Sequence, residues 1–412
     1  MTLLIRIQIL VVALLFATVS AFLQVSPSVS VDFILDKVEI SESFFLQLVT
    51  LYFLSYAILQ IPCGYILDSK GFEKIFPCSI FLVLIGCILY WFSDNVFLIG
   101  FSRLIIGAGC SSAYIISIFI ATKYFNKAII PLLISFAEIA TGIGDYFAGN
   151  IYLTTIKGLG WNATNIVTVL MVLFLFLYSL ILMRVIKRRK KDTKLEPTSK
   201  MSMKDIKNSI KKMFKSSTNI AIFTYSFFTW GIIMTFAGFW AKSYYINMHD
   251  YTREYALSLP EIYWMSFLIS ALIVGAYVKT IAQAKKYILL LSILGVIAYF
   301  TMLTPFLFGY SMLMLITIIS GISASGVVLG FFIIQYLVTD TEKGLAISLN
   351  NLFIVLGGMA SQIIFSQAIS FNFDKIYILE ASVNSFFYSG IVMLATWALF
   401  AFFAVIYILK KL

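Results

Sequence analysis

The chain has 412 residues, of which 61% are hydrophobic and 12% charged, with a mean hydropathy of +0.97. Its apolar residues come in blocks of about 20, the length a helix needs to span a bilayer, which excludes a soluble globular protein and a barrel of ten-residue alternating strands. The net charge of +11 gathers near the middle of the chain, so it signals a membrane surface and a topology rather than nucleic-acid binding.

Twelve apolar segments are predicted, near 7–29, 43–66, 75–93, 96–121, 130–153, 164–186, 218–243, 261–279, 288–305, 311–337, 346–370 and 385–409. The expected fold is an all-α membrane protein of twelve transmembrane helices. The first segment is too long for a signal-peptide core and is read as a retained helix. Ser20 and Gln24 share one of its faces, and Gln24 is a candidate substrate contact. The loop after the second segment reads QIPCGYILDSKGFEK, residues 60–74. Gly64 permits a close helix approach and Gly71 a tight turn. Asp68 is suited to accept hydrogen bonds at a neighbouring helix start, with the start of the eleventh segment near Gly344 as the expected partner. With Lys74 these residues form a candidate conformational latch; a static loop cap is the alternative.

In the fourth segment Arg103, Gly107, Cys110 and Tyr114 share a face, making Arg103 and Tyr114 candidate substrate contacts. The fifth holds EIATGIGD, residues 138–145, whose two acids lie seven residues apart and so on one helix face. Each ionisable group deep in an apolar span costs at least about 2.5–3.5 kcal/mol unless paired or wetted. Arg103 and Asp145 lie at matching depth on adjacent antiparallel helices, so an ion pair between them is expected. Glu138 lies about 10 Å further along, where no basic residue matches it. Such a carboxyl is cheaper neutral than charged, and it is the first candidate for proton coupling, with Asp145 the second. A neutral Glu138 hydrogen-bonded within its own half is the structural alternative.

The sixth and seventh segments are joined by the only long interior link, 187–217. Twelve Lys/Arg lie between Lys187 and Lys215, opposed by Asp192, Glu196 and Asp205. Met203, Ile206, Ile210, Met213 and Phe214 recur at helical spacing opposite Lys204, Lys207, Lys211 and Lys215. An amphipathic helix on anionic lipid is expected, opened by a capping box at Ser202 and Asp205. In the seventh segment Tyr225, Trp230 and Trp240 are candidate contacts, and in the eleventh Asn350 and Asn351; packing and interhelical hydrogen bonds are the alternatives. His249 is expected in an exposed loop. Cys63, Cys78, Cys87 and Cys110 lack metal-ligand spacing and are expected as buried free thiols.

The chain repeats itself. ISFAEIATGIGDYFAGNIY from Ile134 aligns without gaps to ISLNNLFIVLGGMASQIIF from Ile347, and GAGCSSAY from Gly107 falls opposite GISASGVV from Gly321. Two pseudo-symmetric six-helix bundles of like orientation are expected, spanning residues 1–186 and 218–412 around the 187–217 linker. Positive charge is far denser on the side of Arg6, Lys70, Lys123, the linker and Lys410, which places both termini in the cytoplasm.

The loop of residues 60–74, with Gly64, Asp68, Gly71 and Lys74, resembles the loop signature of the major facilitator superfamily. RLIIGAG, with Arg103, Gly107 and Gly109, is similar to that family's helix-4 motif. LQVSPSV, GLGW, FAGFWAKSYY and ISLNNLFIVLGGMASQ resemble a bacterial branch that is itself similar to lysosomal dipeptide carriers. The chain departs from the pattern at Ser69, Lys70, Glu73 and Gln24, and helix 5 lacks the Gly-Pro motif of drug antiporters.

The resemblance implies a monomeric secondary transporter of the bacterial inner membrane, taking up a small polar solute (an amino acid, short peptide or organic acid) with protons. Proton-driven efflux of drugs or siderophores and a non-transporting sensor are the alternatives. No cofactor, metal or nucleic acid is expected, and no nucleophile motif or phosphate-binding glycine loop points to an enzyme.

Overall fold

The computed structural model describes residues 2–35, 38, 40–192, 203–249, 251–304, 309–370, 376–378, 381–383 and 385–412. Among them are twelve helices long and apolar enough to cross a membrane. They are α1 (Leu3–Ser28), α2 (Gln47–Lys70), α3 (Phe72–Trp91), α4 (Val96–Tyr124), α5 (Lys127–Gly149), α6 (Leu153–Arg188), α7 (Ser217–Gly238), α8 (Arg253–Tyr277), α9 (Ile281–Thr301), α10 (Tyr310–Leu337), α11 (Lys343–Ile364) and α12 (Tyr388–Lys411). The described strands are one short hairpin, Ile376–Ile378 against Ala381–Val383.

Local chemistry sets where these helices begin and break. The Asn95 side chain accepts from the Leu98 amide ahead of α4, and Ser216 accepts from Asn219 at α7. Thr280 and Gln283 form a capping box at α9, so amides that the helix cannot satisfy find side-chain oxygens. Gly71 has φ 74° and turns the chain sharply between α2 and α3, while Gly160, φ 82°, interrupts the helical run inside α6. Wider π-turns run across the ends of α5 and α7, at Phe147–Tyr152 and Phe236–Trp240.

The repeat in sequence is a repeat in packing. Aligned Ser111 and Ser325 each donate a side-chain hydrogen bond to the carbonyl three residues back, Ala108 and Ile322, at 2.7 Å, and α4 and α10 each break there. Gly107 of α4 lies against the backbone of Tyr52 in α2, as Gly321 of α10 does against Tyr263 in α8. Gly144 of α5 lies against the Thr18 carbonyl of α1, and its counterpart Gly357 of α11 against the Phe227 carbonyl of α7. A side chain at any of these four positions would collide with backbone.

The chain divides into two compact units. The first gathers Met1–Lys127, Phe136–Ile210 and Val338–Leu349; the second gathers Ala128–Ser135, Lys211–Leu337 and Asn350–Leu412. Each unit thus contains most of one sequence half plus the first turns of a helix from the other, α11 in the first and α5 in the second.

The expected amphipathic helix is present at Met203–Lys215. Met213 is buried and Lys207, Lys211 and Lys215 are exposed, while Ser209 donates to the Glu342 carboxylate at 3.0 Å. Residues 193–202, including Ser202 of the expected capping box, lie outside the described residues. Two expectations are corrected. His249 ends the helix Ala241–His249 with its ring 3.3 Å from the Tyr244 hydroxyl, because the aromatic cluster there offers it a partner. Cys78 is exposed, on the outward side of α3, whereas Cys63, Cys87 and Cys110 are buried thiols.

Candidate functional site

Glu138 is buried in α5 at 3% exposure, and its carboxylate accepts a very short hydrogen bond from the Tyr114 hydroxyl of α4. No Lys, Arg or His lies within ion-pair distance of it among the described residues. Tyr114 stands just beyond the Ser111–Ser112 break, so the face expected to run unbroken from Arg103 to Tyr114 is interrupted. The break leaves Arg103 and Tyr114 serving different partners. A carboxyl held by a phenol keeps a hydrogen bond in either protonation state: ionised, it accepts from the tyrosine, and neutral, it can donate to the tyrosine oxygen.

Arg103 does not pair with Asp145. Its Nη1 donates to the Leu23 carbonyl of α1 at 2.8 Å, and its guanidinium lies 4.9 Å from the centre of the Tyr52 ring. The reason is local. Pro27 has no N–H to return to Leu23 four residues back, so that carbonyl is open to an outside donor. The aromatic face supplies the rest of the attraction. Asp145, at the end of the α-helical part of α5, is exposed. Position along the helices suggested a pair, but Arg103 is buried within the first unit and Asp145 is exposed.

Arg103 is 1% exposed, and no protein acceptor reaches its Nε or Nη2. Arg103 borders a cavity within the first unit that is also lined by Ser26, Cys87, Tyr90, Tyr152 and Asn165, with room for about one water molecule. Gln24, one residue beyond the carbonyl that holds Arg103, is half-buried.

In the second unit, Tyr225 lines a cavity with Thr229, Tyr263, Ser292 and Tyr299, which Trp230, Trp240, Asn350 and Asn351 do not join. Trp240 is buried in an aromatic cluster around Phe236, whose ring centre lies 5.9–6.3 Å from those of Trp240, Tyr244, Tyr245, Tyr263 and Tyr299. Trp230 is half-buried and meets Phe267 edge-on. Asn350 accepts from the Ser226 hydroxyl at 2.8 Å, tying α11 to α7, and Asn351 is buried beside it.

Asp68 and Gly64 of the loop signature both meet the start of α11. Asp68 accepts from the amides of Gly344 at 2.7 Å and Leu345 at 2.8 Å, two of the free N–H groups at the start of α11. Gly64 lies against the Gly344 carbonyl and Ser348, where a side chain would not fit. Lys343 and Asp340 form an ion pair at 2.6 Å beside it, and that lysine holds the Asp340 carboxyl below the usual carboxylate range. Gly71 supplies the turn; Lys74 lies in the first turn of α3.

Sequence reading overlooked Tyr52, Tyr90, Tyr152, Asn165 and the Ser209–Glu342 bond. It also overlooked the Leu23 carbonyl, for which a signal existed in Pro27, a residue with no N–H to return to it. The others need tertiary packing to be seen. Among the described residues no group of three His, Cys, Asp or Glu could hold a metal ion.

The chain's likeness to known proteins is one of fold. A bacterial homologue of the iron transporter ferroportin, solved in an outward-facing state, superposes with a TM-score of 0.76 at 13% identity, over 98% of this chain and 99% of that one. The proton:xylose symporter XylE gives 0.67 at 15% identity, over 98% and 95%. The E. coli fucose:proton symporter FucP gives 0.65 at 14%, over 97% of each. No curated protein matches the sequence. The model of the Major Facilitator Superfamily matches residues 9–362, and a match over that length, on a fold of twelve helices with the loop and helix-4 motifs in place, makes the chain a member of that transporter family and not an enzyme.

Proposed function

We propose that the protein is a proton-coupled carrier that takes up a small polar organic solute, an amino acid, short peptide or organic acid, by alternating access. The observation that carries this reading is Glu138, a buried carboxyl whose partner is a phenol rather than a cation. Sealed from water, the ionised form has neither counter-charge nor solvent to stabilise it; wetted, it has solvent. A group that holds a proton in one state and releases it in the other is what symport requires. Tyr114 of α4 is the titratable group that bears on it, and Tyr56 of α2 bears in turn on Tyr114. Asp145, exposed in the same helix, is the second candidate.

Two of the proteins of like fold are proton symporters, which supports the coupling. The stretches that resemble lysosomal dipeptide carriers support a zwitterionic or anionic solute. Gln24, Trp230 and Asn351 are the half-buried or polar candidates for contact with it. Asp68 on the start of α11 is the proposed latch, made in one state and broken in the other. The dense positive charge on one side supports cytoplasmic termini, with the linker helix against anionic lipid. Efflux of drugs or siderophores is the second reading, and the absence of a proline in EIATGIGDYFAG tells against it.

A thermal-shift screen of purified protein at two pH values identifies the solute. Uptake in proteoliposomes then tests the coupling. Glu138→Gln is expected to abolish concentrative uptake and flatten its pH dependence while leaving solute exchange intact. Unchanged pH dependence in Glu138→Gln excludes Glu138 as the coupling group.

A further inference from the structure

The cavity beside Arg103 has a chemistry that the carrier reading does not use. Two donors, Arg103 Nε and Arg103 Nη2, reach no protein acceptor there, and the Tyr90 hydroxyl, which lies towards the Ser30 side chain, meets no acceptor at close hydrogen-bond distance. Both side chains are more than nine-tenths buried. The Tyr152 hydroxyl is already committed to Asn165 at 3.5 Å, and no Asp or Glu borders the space. An arginine keeps its charge in such a place, so one full positive charge faces a donor-rich wall.

We propose that this cavity binds a small monovalent anion of chloride's size, held inside the first unit. The room, about that of one water molecule, excludes an amino acid or a sugar. A water would satisfy the donors but leave the charge offset by the face of the Tyr52 ring alone. One guanidinium calls for one negative charge. The ion is a structural ligand that fixes α4 against α1, α3 and α6, and the inference stands whether or not Glu138 carries a proton.

Thermal unfolding of the detergent-purified protein tests it, with sodium gluconate replaced stepwise by sodium chloride or bromide at constant ionic strength. Wild type is expected to gain roughly 2–4 °C in Tm with both halides, saturably. Arg103→Met is expected to lose the halide effect. Tyr90→Phe, which keeps the charge, is expected to need several-fold more halide, and it decides the matter should Arg103→Met not fold. A bromide anomalous peak beside Arg103 in a crystal would complete the assignment. Equal melting of wild type in gluconate, chloride and bromide would overturn the proposal, as would a full halide effect in Arg103→Met or an unchanged halide requirement in Tyr90→Phe.

Discussion

Arg103 shows how one missing hydrogen atom can direct a charge. Proline at 27 removes an amide from α1, the Leu23 carbonyl loses its helical donor, and a guanidinium from α4 takes its place. Replacing a proline inside a helix ordinarily stabilises it. Here Pro27→Ala is expected to lower Tm, because it returns the Leu23 carbonyl to its own helix and strands Arg103. Arg103→Met removes the same contact from the other side. A double-mutant cycle read by thermal unfolding should therefore show a coupling of about 0.5–3 kcal/mol between the two, and strict additivity would show that they act separately. The sequence made Glu138 and Arg103 conspicuous, since acids and bases in apolar runs need a reason. It paired Arg103 with the wrong residue because position along a helix is legible in residue numbers whereas burial within the unit is not.

At the scale of the element, the start of α11 is the best-defined contact of the first unit. Two amides at a helix N-terminus meet one carboxylate, and hydrogen bonds to a charged acceptor contribute about 1.5–3 kcal/mol each. Asn at the same position keeps the shape but offers one acceptor and turns an NH2 toward an N–H. Asp68→Asn is therefore expected to raise amide hydrogen exchange over residues 343–349 by about ten-fold or more, with little change in helices distant from it. No change in exchange would mean that the contact adds nothing to the stability of that helix start. The partner of Asp68 could be anticipated from the loop signature and the position of Gly344. The bond from Ser209 to Glu342 could not, because nothing in a solvated-looking linker says where its buried serine will dock.

At the scale of the whole molecule, the two halves are alike in packing and unlike in charge. Gly64 in α2 faces the Gly344 carbonyl and Ser348; Gly275 in α8 faces the Pro131 carbonyl and Ser135. Ser135 and Ser348 are aligned in the repeat, as are Pro131 and Gly344, so the two close approaches are copies. Their chemistry then diverges. Four residues after Gly64 stands Asp68, and four after Gly275 stands Lys279; Pro131, moreover, has no amide to offer where Gly344 has one. The carboxylate contact is thus made at one of these two crossings, although the steric fit is shared by both. Gly64→Val and Gly275→Val should each overpack a helix crossing, at about 1–3 kcal/mol, and each should loosen its own partner segment, 343–349 for the first and 128–135 for the second. Hydrogen exchange on the two variants reads this directly. A silent Gly275→Val beside a disruptive Gly64→Val would mean that the likeness of the halves ends at the backbone, and that the charged contact, not the fit between helices, holds these crossings closed.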